Sequence, residues 1–496
     1  MLVPAAVLII SRGIKGIFTL RLNTDSLLVV SIFFAAAYSL VILFTDPQAS
    51  DLHMYNLPAA FAALCSAVVA HLLARKDMRC FKVVASKRVK YAACELTGGT
   101  READEFYKYL FDDSDIYTVK KAQFIDNFVE RTEKRPKFED VFNFLIPVIF
   151  FAGAALFGAM MIMGRELVES YAAFSVLIAA SVPSTAVFMI TLPVISANRI
   201  GAKHQTAFIG NAVSEEYATA SVLSFADTEV YPASLVKITN IRMYGDFRID
   251  AVITDLAKLF GYIGGPLSKV LSATLSGNVE APGSVRLIEC ANDGLCIAMD
   301  GQNYFLGKRS YMRRYRFEAP LDDGDEAYEN GIGSVMYVTV NEKLAAKLYI
   351  KYTVNPLFDS LLKDMYKAGL CLGIKTLDPN INNDLISRAI KFRKCPVSVL
   401  RGGSPDDVLG EVPSADSGIA CNSTLHNFLK MFALCDKTRH ITKSNVIIST
   451  VSVFLSFAAV AFLAITGDIG AISSLQATAF QLFWLVPVWL ISFLML

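Results

Sequence analysis

The chain has 496 residues, 54% of them hydrophobic and 19% charged, with a formal net charge of +1, and its mean hydropathy is +0.43. So apolar a composition excludes an ordinary soluble domain, and so balanced a charge leaves no basic footprint for nucleic acid. The nine cysteines include no C-x-x-C pair, which argues against a disulfide framework and a cysteine metal site and fits reduced thiols.

The opening MLVPAAVLII is shorter than the roughly 20 apolar residues a membrane span requires. With no basic region before it and no cleavage pattern after it, it reads as the stub of a helix rather than a secretory signal. Six later stretches are long enough to span: 26–45, 57–74, 142–163, 172–196, 446–466 and 475–496. The loops at 46–53 and 467–474 contain no Lys or Arg, and the loop at 164–171 contains only Arg165. Segments 11–24, 75–141 and 197–445 hold nearly all the basic residues. Excess Lys and Arg stays on the cytoplasmic side, so those three segments are expected to be cytoplasmic. No Asp or Glu lies in the middle of a span. His71 and Gln481 are the main strongly polar side chains there, and His71 is near enough to a helix end to snorkel.

Between the second and third spans, 75–141 opens basic at Arg75, Lys76 and Arg79. Phe124, Ile125, Phe128 and Val129 then recur at helical spacing, predicting a small domain or helical linker. Segment 197–445 is the large one. It begins with a strand, Ser221–Phe225, ending in Ala-Asp-Thr. Gly and Pro mark turns at 264–266, 282–283 and 301. A strand over Val335–Val340, a turn at Asn341-Glu342 and a second strand near 344–350 follow. Asn355-Pro356 starts a helix presenting Leu357, Leu361, Leu362 and Met365, which Gly369 ends. Strands at 370–374 and 397–400 flank a helix over 382–393. Strands alternating with helices predict a mostly parallel sheet, with any site at the carboxyl ends of its strands.

This order of parts resembles the P-type cation-transporting ATPases, closest to their heavy-metal branch. Arg21-Leu22-Asn23-Thr24-Asp25 looks like the basic stretch before that branch's "N-M-D-x-L", and Asp126 to Pro147 like the family's approach to its third core helix. Val182-Pro183-Ser184 sits where the branch has Cys-Pro-Cys, and Gly201 to Glu216 is similar to "ARRGILIKGGEALE". Phe225-Ala226-Asp227-Thr228-Glu229 stands where the family writes "F-D-K-T-G-T". Gly265-Pro266-Leu267 resembles the nucleotide domain's "H-P-L", Val335 to Asp378 the passage ending in "T-G-D", and Ala415 to Ala420 "A-D-V-G-I-A".

The resemblance implies a mixed fold: a polytopic α-helical membrane domain plus a cytoplasmic α/β, HAD-like (Rossmannoid) P-domain with an inserted α+β nucleotide-domain-like module. The parts implied are 1–75, an N-terminal stub and first helix pair; 76–141, a reduced actuator-like segment; and 142–198, a second helix pair. The P-domain takes 199–232 and 336–443, the inserted module 233–335, and the last helix pair 444–496. A multi-pass protein of the cell (plasma) membrane is expected.

The departures bear on function. The family's aspartate nucleophile accepts the γ-phosphate of ATP, but its position is Ala226, and the following lysine is Asp227. The nucleotide-domain histidine is Gly265; the "T-G-D" glycine is Leu377, between Thr376 and Asp378. The Mg-binding "G-D-G-x-N-D" is nearest to Arg401-Gly402-Gly403-Ser404-Pro405-Asp406. The "T-G-E-S" loop is missing, Thr97 to Thr100 reading better as a chance match than as its remnant, and the membrane motif has lost both thiols, leaving no soft-metal ligands.

Three readings stay open, the first of them favoured. In the first, the chain is a catalytically inactive pseudo-ATPase with a regulatory or scaffolding role. It then needs no cofactor, and its partners are the lipid bilayer and another membrane transporter or protein subunit. In the second, it is a divergent transporter or phosphohydrolase using Asp227. Asp378, Asp406 and Asp407 would then join Asp227 in holding Mg2+ for ATP, with Gly265, Pro266, Gly331 and Gly333 as weak nucleotide-binding candidates. A decayed gene product is a third reading.

Overall fold

The structure is a computed structural model describing residues 2–45, 53–96, 115–181, 183–275, 282–331, 333–401 and 410–494. The chain divides into two compact units. The first comprises Met1–Ala85, Asn127–Ala218 and Leu434–Leu496; the second comprises Ser86–Asp126 and Thr219–Ala433.

The first unit is mostly helical, with one short strand, Thr206–Phe208. Among the described residues, six apolar segments are long enough to cross a membrane: Thr24–Thr45, Asn56–Val84, Phe128–Ile162, Leu167–Lys203, Leu425–Thr466 and Ser474–Leu494. Each contains one of the six stretches expected, except at the extreme ends. The opening residues belong to a 17-residue helix, Leu2–Phe18. It packs closely on the next helix through glycines: a Cβ on Gly13 would lie 2.5 Å from the Asp25 carbonyl oxygen. Inside the bundle, two amide side chains donate to backbone carbonyls, which takes the place of water there. Gln481 Nε2 donates to the Ala179 carbonyl at 2.5 Å, where the helix Leu167–Ala180 ends. Asn445 Nδ2 donates to the Met189 carbonyl at 3.2 Å and to Ser492 Oγ at 2.9 Å. His71 is exposed.

The strands of the second unit are, in chain order, β1 (Lys90–Glu95), β2 (Asp115–Asp126), β3 (Ala220–Ala226), β4 (Val236–Met243), β5 (Val285–Ala291), β6 (Gly294–Met299), β7 (Gln302–Gly307), β8 (Gly333–Val340), β9 (Lys343–Tyr352), β10 (Cys371–Lys375), β11 (Val397–Leu400), β12 (Glu411–Asp416) and β13 (Ile419–Cys421). They form two sheets. The mixed sheet runs β11-β10-β3-β2-β1-β13, with β12 also on β2. Its half around β3 is parallel: β10 pairs with both β3 and β11. The other is a six-stranded antiparallel sheet, β4-β9-β8-β7-β6-β5.

Two expectations from sequence come out differently. Segment 75–141 is no helical linker over Phe124–Val129. Residues 115–126 form β2, whose Tyr117 and Thr118 align with Leu223 and Ser224 of β3. The run Asp115-Ile-Tyr-Thr-Val is β-branched and aromatic, which suits a buried strand, and Ile116 through Val119 are buried. Helix begins only at Phe128. Thus part of the segment assigned to a separate actuator-like piece is built into the sheet that carries β3. The pair β8 and β9, expected in the mostly parallel sheet, lies in the antiparallel one. The turn between them explains this: Asn341 (φ +45°) and Glu342 (φ +68°) form a tight left-handed reversal, so the strands must pair antiparallel. The sheet of the inserted module therefore extends through Tyr352.

Elsewhere local rules hold. Asn355 caps the helix Pro356–Lys367, accepting from the Leu357 N–H at 3.1 Å, and Gly369 takes φ +73° just past its end.

Candidate functional site

Three adjacent parallel strands, β3, β10 and β11, end side by side. Lys375 aligns with Ala226 on one side and Leu400 on the other. The residues that follow, Asp227, Thr376 and Arg401, are therefore brought together by strand register. Such strand tips are where sites form in open α/β sheets.

The side chains there form a closed network. Thr376 Oγ1 donates to Asp227 Oδ2 at 2.5 Å and accepts the Asp378 N–H at 2.9 Å. Asp378 Oδ1 accepts from the Asn380 N–H at 3.0 Å and from Asn380 Nδ2 at 2.8 Å. Asp378 Oδ2 accepts from the Tyr352 hydroxyl at 2.7 Å. Ser334 Oγ at the start of β8 donates to Asn380 Oδ1 at 3.1 Å. Thus the last residue of β9 and the first turn of β8, both from the antiparallel sheet, close over the strand tips. Asp227, Thr376, Tyr352 and Asn380 are 0% exposed and Asp378 is 2% exposed, so solvent does not reach either carboxyl.

Burial sets the ionisation. Asp227 is pushed up to about 7, mainly by desolvation and further by the Asp378 charge, against the opposing Thr376 hydrogen bond and Arg401. Burial also raises Asp378, opposed by its bonds from Asn380 and Tyr352 and by Arg401. Asp227 Oδ1 has no hydrogen-bond partner, whereas both oxygens of Asp378 are bonded.

Of the residues singled out from sequence, Asp227, Thr376 and Asp378 are brought together. Ala226 ends β3 with a methyl group, and Thr228 starts the turn after Asp227. Glu229, the second acid of an Asp-x-Glu pair, points elsewhere: it pairs with Lys121 at 3.0 Å and accepts from the Tyr91 hydroxyl at 2.9 Å. Lys375 donates to Thr118 Oγ1 at 2.7 Å. Gly265 lies at the strand tips beside Asp227. It caps the helix Pro266–Thr274 at φ +82°, and a Cβ there would lie 3.2 Å from Asp227 Oδ2. Pro266 is the first residue of that helix and is buried. Gly331 lies against the Tyr328 carbonyl, and Gly333 against the Tyr328 ring; a Cβ on Gly333 would lie 2.3 Å from that ring. Close ring packing thus accounts for Gly333 without a phosphate. Ser184 is fully buried in the first unit, its hydroxyl without a partner. Val182, Asp406, Asp407 and residues 97–100 lie outside the described residues, as does the side chain of Pro183.

Tyr352 and Asn380 were missed from sequence. Asn380 carries a weak signal, standing two residues after Asp378, whereas Tyr352 carries none because its strand was placed in the other sheet.

A divalent cation of the Mg2+ type needs several oxygens open to it. Here Asp378 has none to spare, Asp227 has one, Glu229 is committed elsewhere, and the buried cation Arg401 follows β11. The described residues do not fit that ion. Among them, no three His, Cys, Asp or Glu side chains group to hold a metal.

No family model matches the sequence, and no curated protein does. Solved structures do align. One structure of a zinc-transporting PIB-type ATPase covers 98% of this chain and 94% of its own, at 14% identity and TM-score 0.45. Another structure of a zinc-transporting PIB-type ATPase, in a different state, covers 100% and 94%, at 11% identity and TM-score 0.49. The structural neighbours are heavy-metal P-type ATPases. The N-domain of a copper-transporting P-type ATPase aligns with 24% of this chain, at 13% identity and TM-score 0.19.

Proposed function

We propose that this chain is a multi-pass membrane protein on the P-type ATPase plan that does not turn over ATP and acts by binding, as a regulatory or scaffolding subunit of another membrane protein. The observation that carries this reading is the sealed network at the tips of β3 and β10. A phosphoryl acceptor must be reached by the γ-phosphate in line, with charge stabilisation around it. Ala226 has no oxygen to offer. Asp227 is fully buried, which pushes its carboxyl up to about 7, and the Tyr352 hydroxyl occupies one oxygen of Asp378.

The pairing of β2 with β3 supports the same reading. A segment resembling the actuator, hydrogen-bonded into the sheet of the phosphorylation site, is not free to swing against it. We propose the plasma membrane as its location; the bias of Lys and Arg among its loops supports only the orientation, with the sheet-bearing segments cytoplasmic. The test is to incubate purified full-length protein with labelled ATP and Mg2+. No acid-stable, hydroxylamine-sensitive phosphate is expected; its appearance would overturn the reading.

A second reading, a phosphohydrolase using Asp227, has one observation in its favour: Asp227 Oδ1 has no partner. It requires Tyr352 to withdraw. It predicts Mg-dependent phosphatase activity that Asp227→Asn abolishes, and equal rates in wild type and variant would end it.

A further inference from the structure

Six of the nine cysteines are buried, and Cys94, Cys290 and Cys371 are partly exposed. Cys290 is set apart by its neighbour. It lies on β5, at an edge of the antiparallel sheet, and the side chain of Arg401, just past β11, hydrogen-bonds to its thiol. Arg401 is 7% exposed. Its Nη2 donates to the Ile381 carbonyl, and its Nη1 is buried without a hydrogen-bond partner among the described residues. Burial pulls this guanidinium down; the Cys290 thiol opposes that by charge and by hydrogen bond, as do the charges of Asp378 and Asp227.

A second cation stands at the same end of the sheet. Ala291, Gly294 and Gly307 form one row across β5, β6 and β7, so Lys308 leaves the sheet at the end of β5 that carries Cys290. Burial pushes the Lys308 ammonium down; Glu329 and Asp384 oppose this, and Arg388 and Arg401 add to it. The acid next to Cys290 in sequence is engaged elsewhere: Glu289 accepts from the hydroxyls of Tyr311 and Tyr315 and pairs with Arg314 at 3.9 Å. The thiolate is the nucleophilic form of cysteine, and a neighbouring guanidinium or ammonium favours it, so reactive cysteines occupy electropositive, partly exposed places. Cys290 meets both conditions. Cys371 on β10 is also partly exposed, but burial pushes its thiol up. The spare Nη1 adds a charged donor, on the guanidinium that already holds the sulfur, for an oxygen placed on that sulfur.

We propose that Cys290 is a modification site: a reactive thiol that hydrogen peroxide oxidises to the sulfenic acid, with Arg401 holding the new oxygen. The thiolate sulfur attacks one peroxide oxygen, and the S–O bond forms as the O–O bond breaks. Sulfur is oxidised by two electrons, and the departing hydroxide takes a proton from solvent and leaves as water. Arg401 Nη1 then donates to the oxygen on sulfur. The inference stands whether or not the chain turns over ATP.

The test uses full-length protein in detergent, with iodoacetamide and hydrogen peroxide as probes and peptide mass spectrometry to read each cysteine. At pH 7 Cys290 should be alkylated at least about tenfold faster than Cys371. Under limiting peroxide it should be the first cysteine that dimedone traps as the sulfenic acid. Arg401→Gln removes the charge but keeps a donor. Its alkylation at pH 7 should fall about tenfold and the midpoint of its pH profile rise by about one unit, with the alkaline plateau within about twofold of wild type. A loss of packing alone would move the plateau and leave the midpoint. Arg401→Lys, which keeps the charge, should keep most of the rate. A wild-type Cys290 that reacts no faster than Cys371 would overturn the assignment, as would peroxide oxidising another cysteine first, or a folded Arg401→Gln with an unchanged midpoint. If Arg401→Gln does not fold, the wild-type profile decides by itself: a Cys290 midpoint at or above that of Cys371 ends the proposal.

Discussion

Asp227→Asn isolates the consequence of sealing a carboxyl at the end of β3. The folded chain raises this group from 3.8 to about 7, so the native state holds a proton that the unfolded state has released. A group raised in this way adds stability that is complete below the unfolded value and is lost as pH rises through the folded one. Over the whole interval the linkage is on the order of 4 kcal/mol. Within the accessible window, from about pH 6 to about pH 8, it amounts to roughly 1.4 kcal/mol, or about tenfold in an opening equilibrium. Asparagine still accepts from Thr376 and has no proton to lose. Both tryptophans lie in the last membrane helix, so fluorescence would miss this region. Hydrogen exchange of the β3 amides, corrected for intrinsic rates, reads it directly. Wild-type protection should fall about tenfold across that window, while Asp227→Asn should stay flat and match or exceed wild type at the alkaline end. Equal slopes in the two proteins would refute the burial argument.

Other perturbations follow from the same geometry. Tyr352→Phe leaves Asp378 Oδ2 buried without its donor and should cost about 1–3 kcal/mol, seen as earlier exchange of β9 and β10. Gly265→Ala puts a Cβ 3.2 Å from Asp227 Oδ2 at φ +82° and should cost about 1 kcal/mol or more; Asp227→Ala in the same chain should restore part of that loss in a double-mutant cycle. In the antiparallel sheet, Lys347 is fully buried and bonded to Asp325 and to Asp322. Lys347→Met strands the Asp325 charge and should cost about 3–5 kcal/mol, opening the 320–325 loop to limited proteolysis.

Much of the architecture is written in local patterns. Apolar runs long enough to cross a bilayer mark the six spans because no other backbone arrangement satisfies its hydrogen bonds there. Cap and turn residues such as Asn355, Gly369 and Asn341-Glu342 fix the ends of their own elements. At the site, the succession strand, Ala, Asp, Thr was enough to place Asp227 at a strand tip, and Thr376-Leu377-Asp378 enough to place the second acid.

The remainder depended on partners distant in the chain. Residues 115–126 read as helix because Phe124, Ile125, Phe128 and Val129 share a helical face. Their strand state is decided by β3, about a hundred residues later, which offers a parallel edge. Tyr352 has no local mark of function; it meets Asp378 only because β9 runs back along β8 and ends at the mixed sheet. Sequence by itself determined which segments are long and apolar enough to cross a membrane, where the helices stop, and that the strand before Asp227 ends on a methyl group, Ala226. Tertiary structure alone decided that Asp227 is sealed and its carboxyl pushed up, that Gly265 packs on it, and that Arg401 shares its surroundings. The physical reason is that propensity and capping act within a few residues, whereas burial, and through it charge, is set by whichever chain folds over the top.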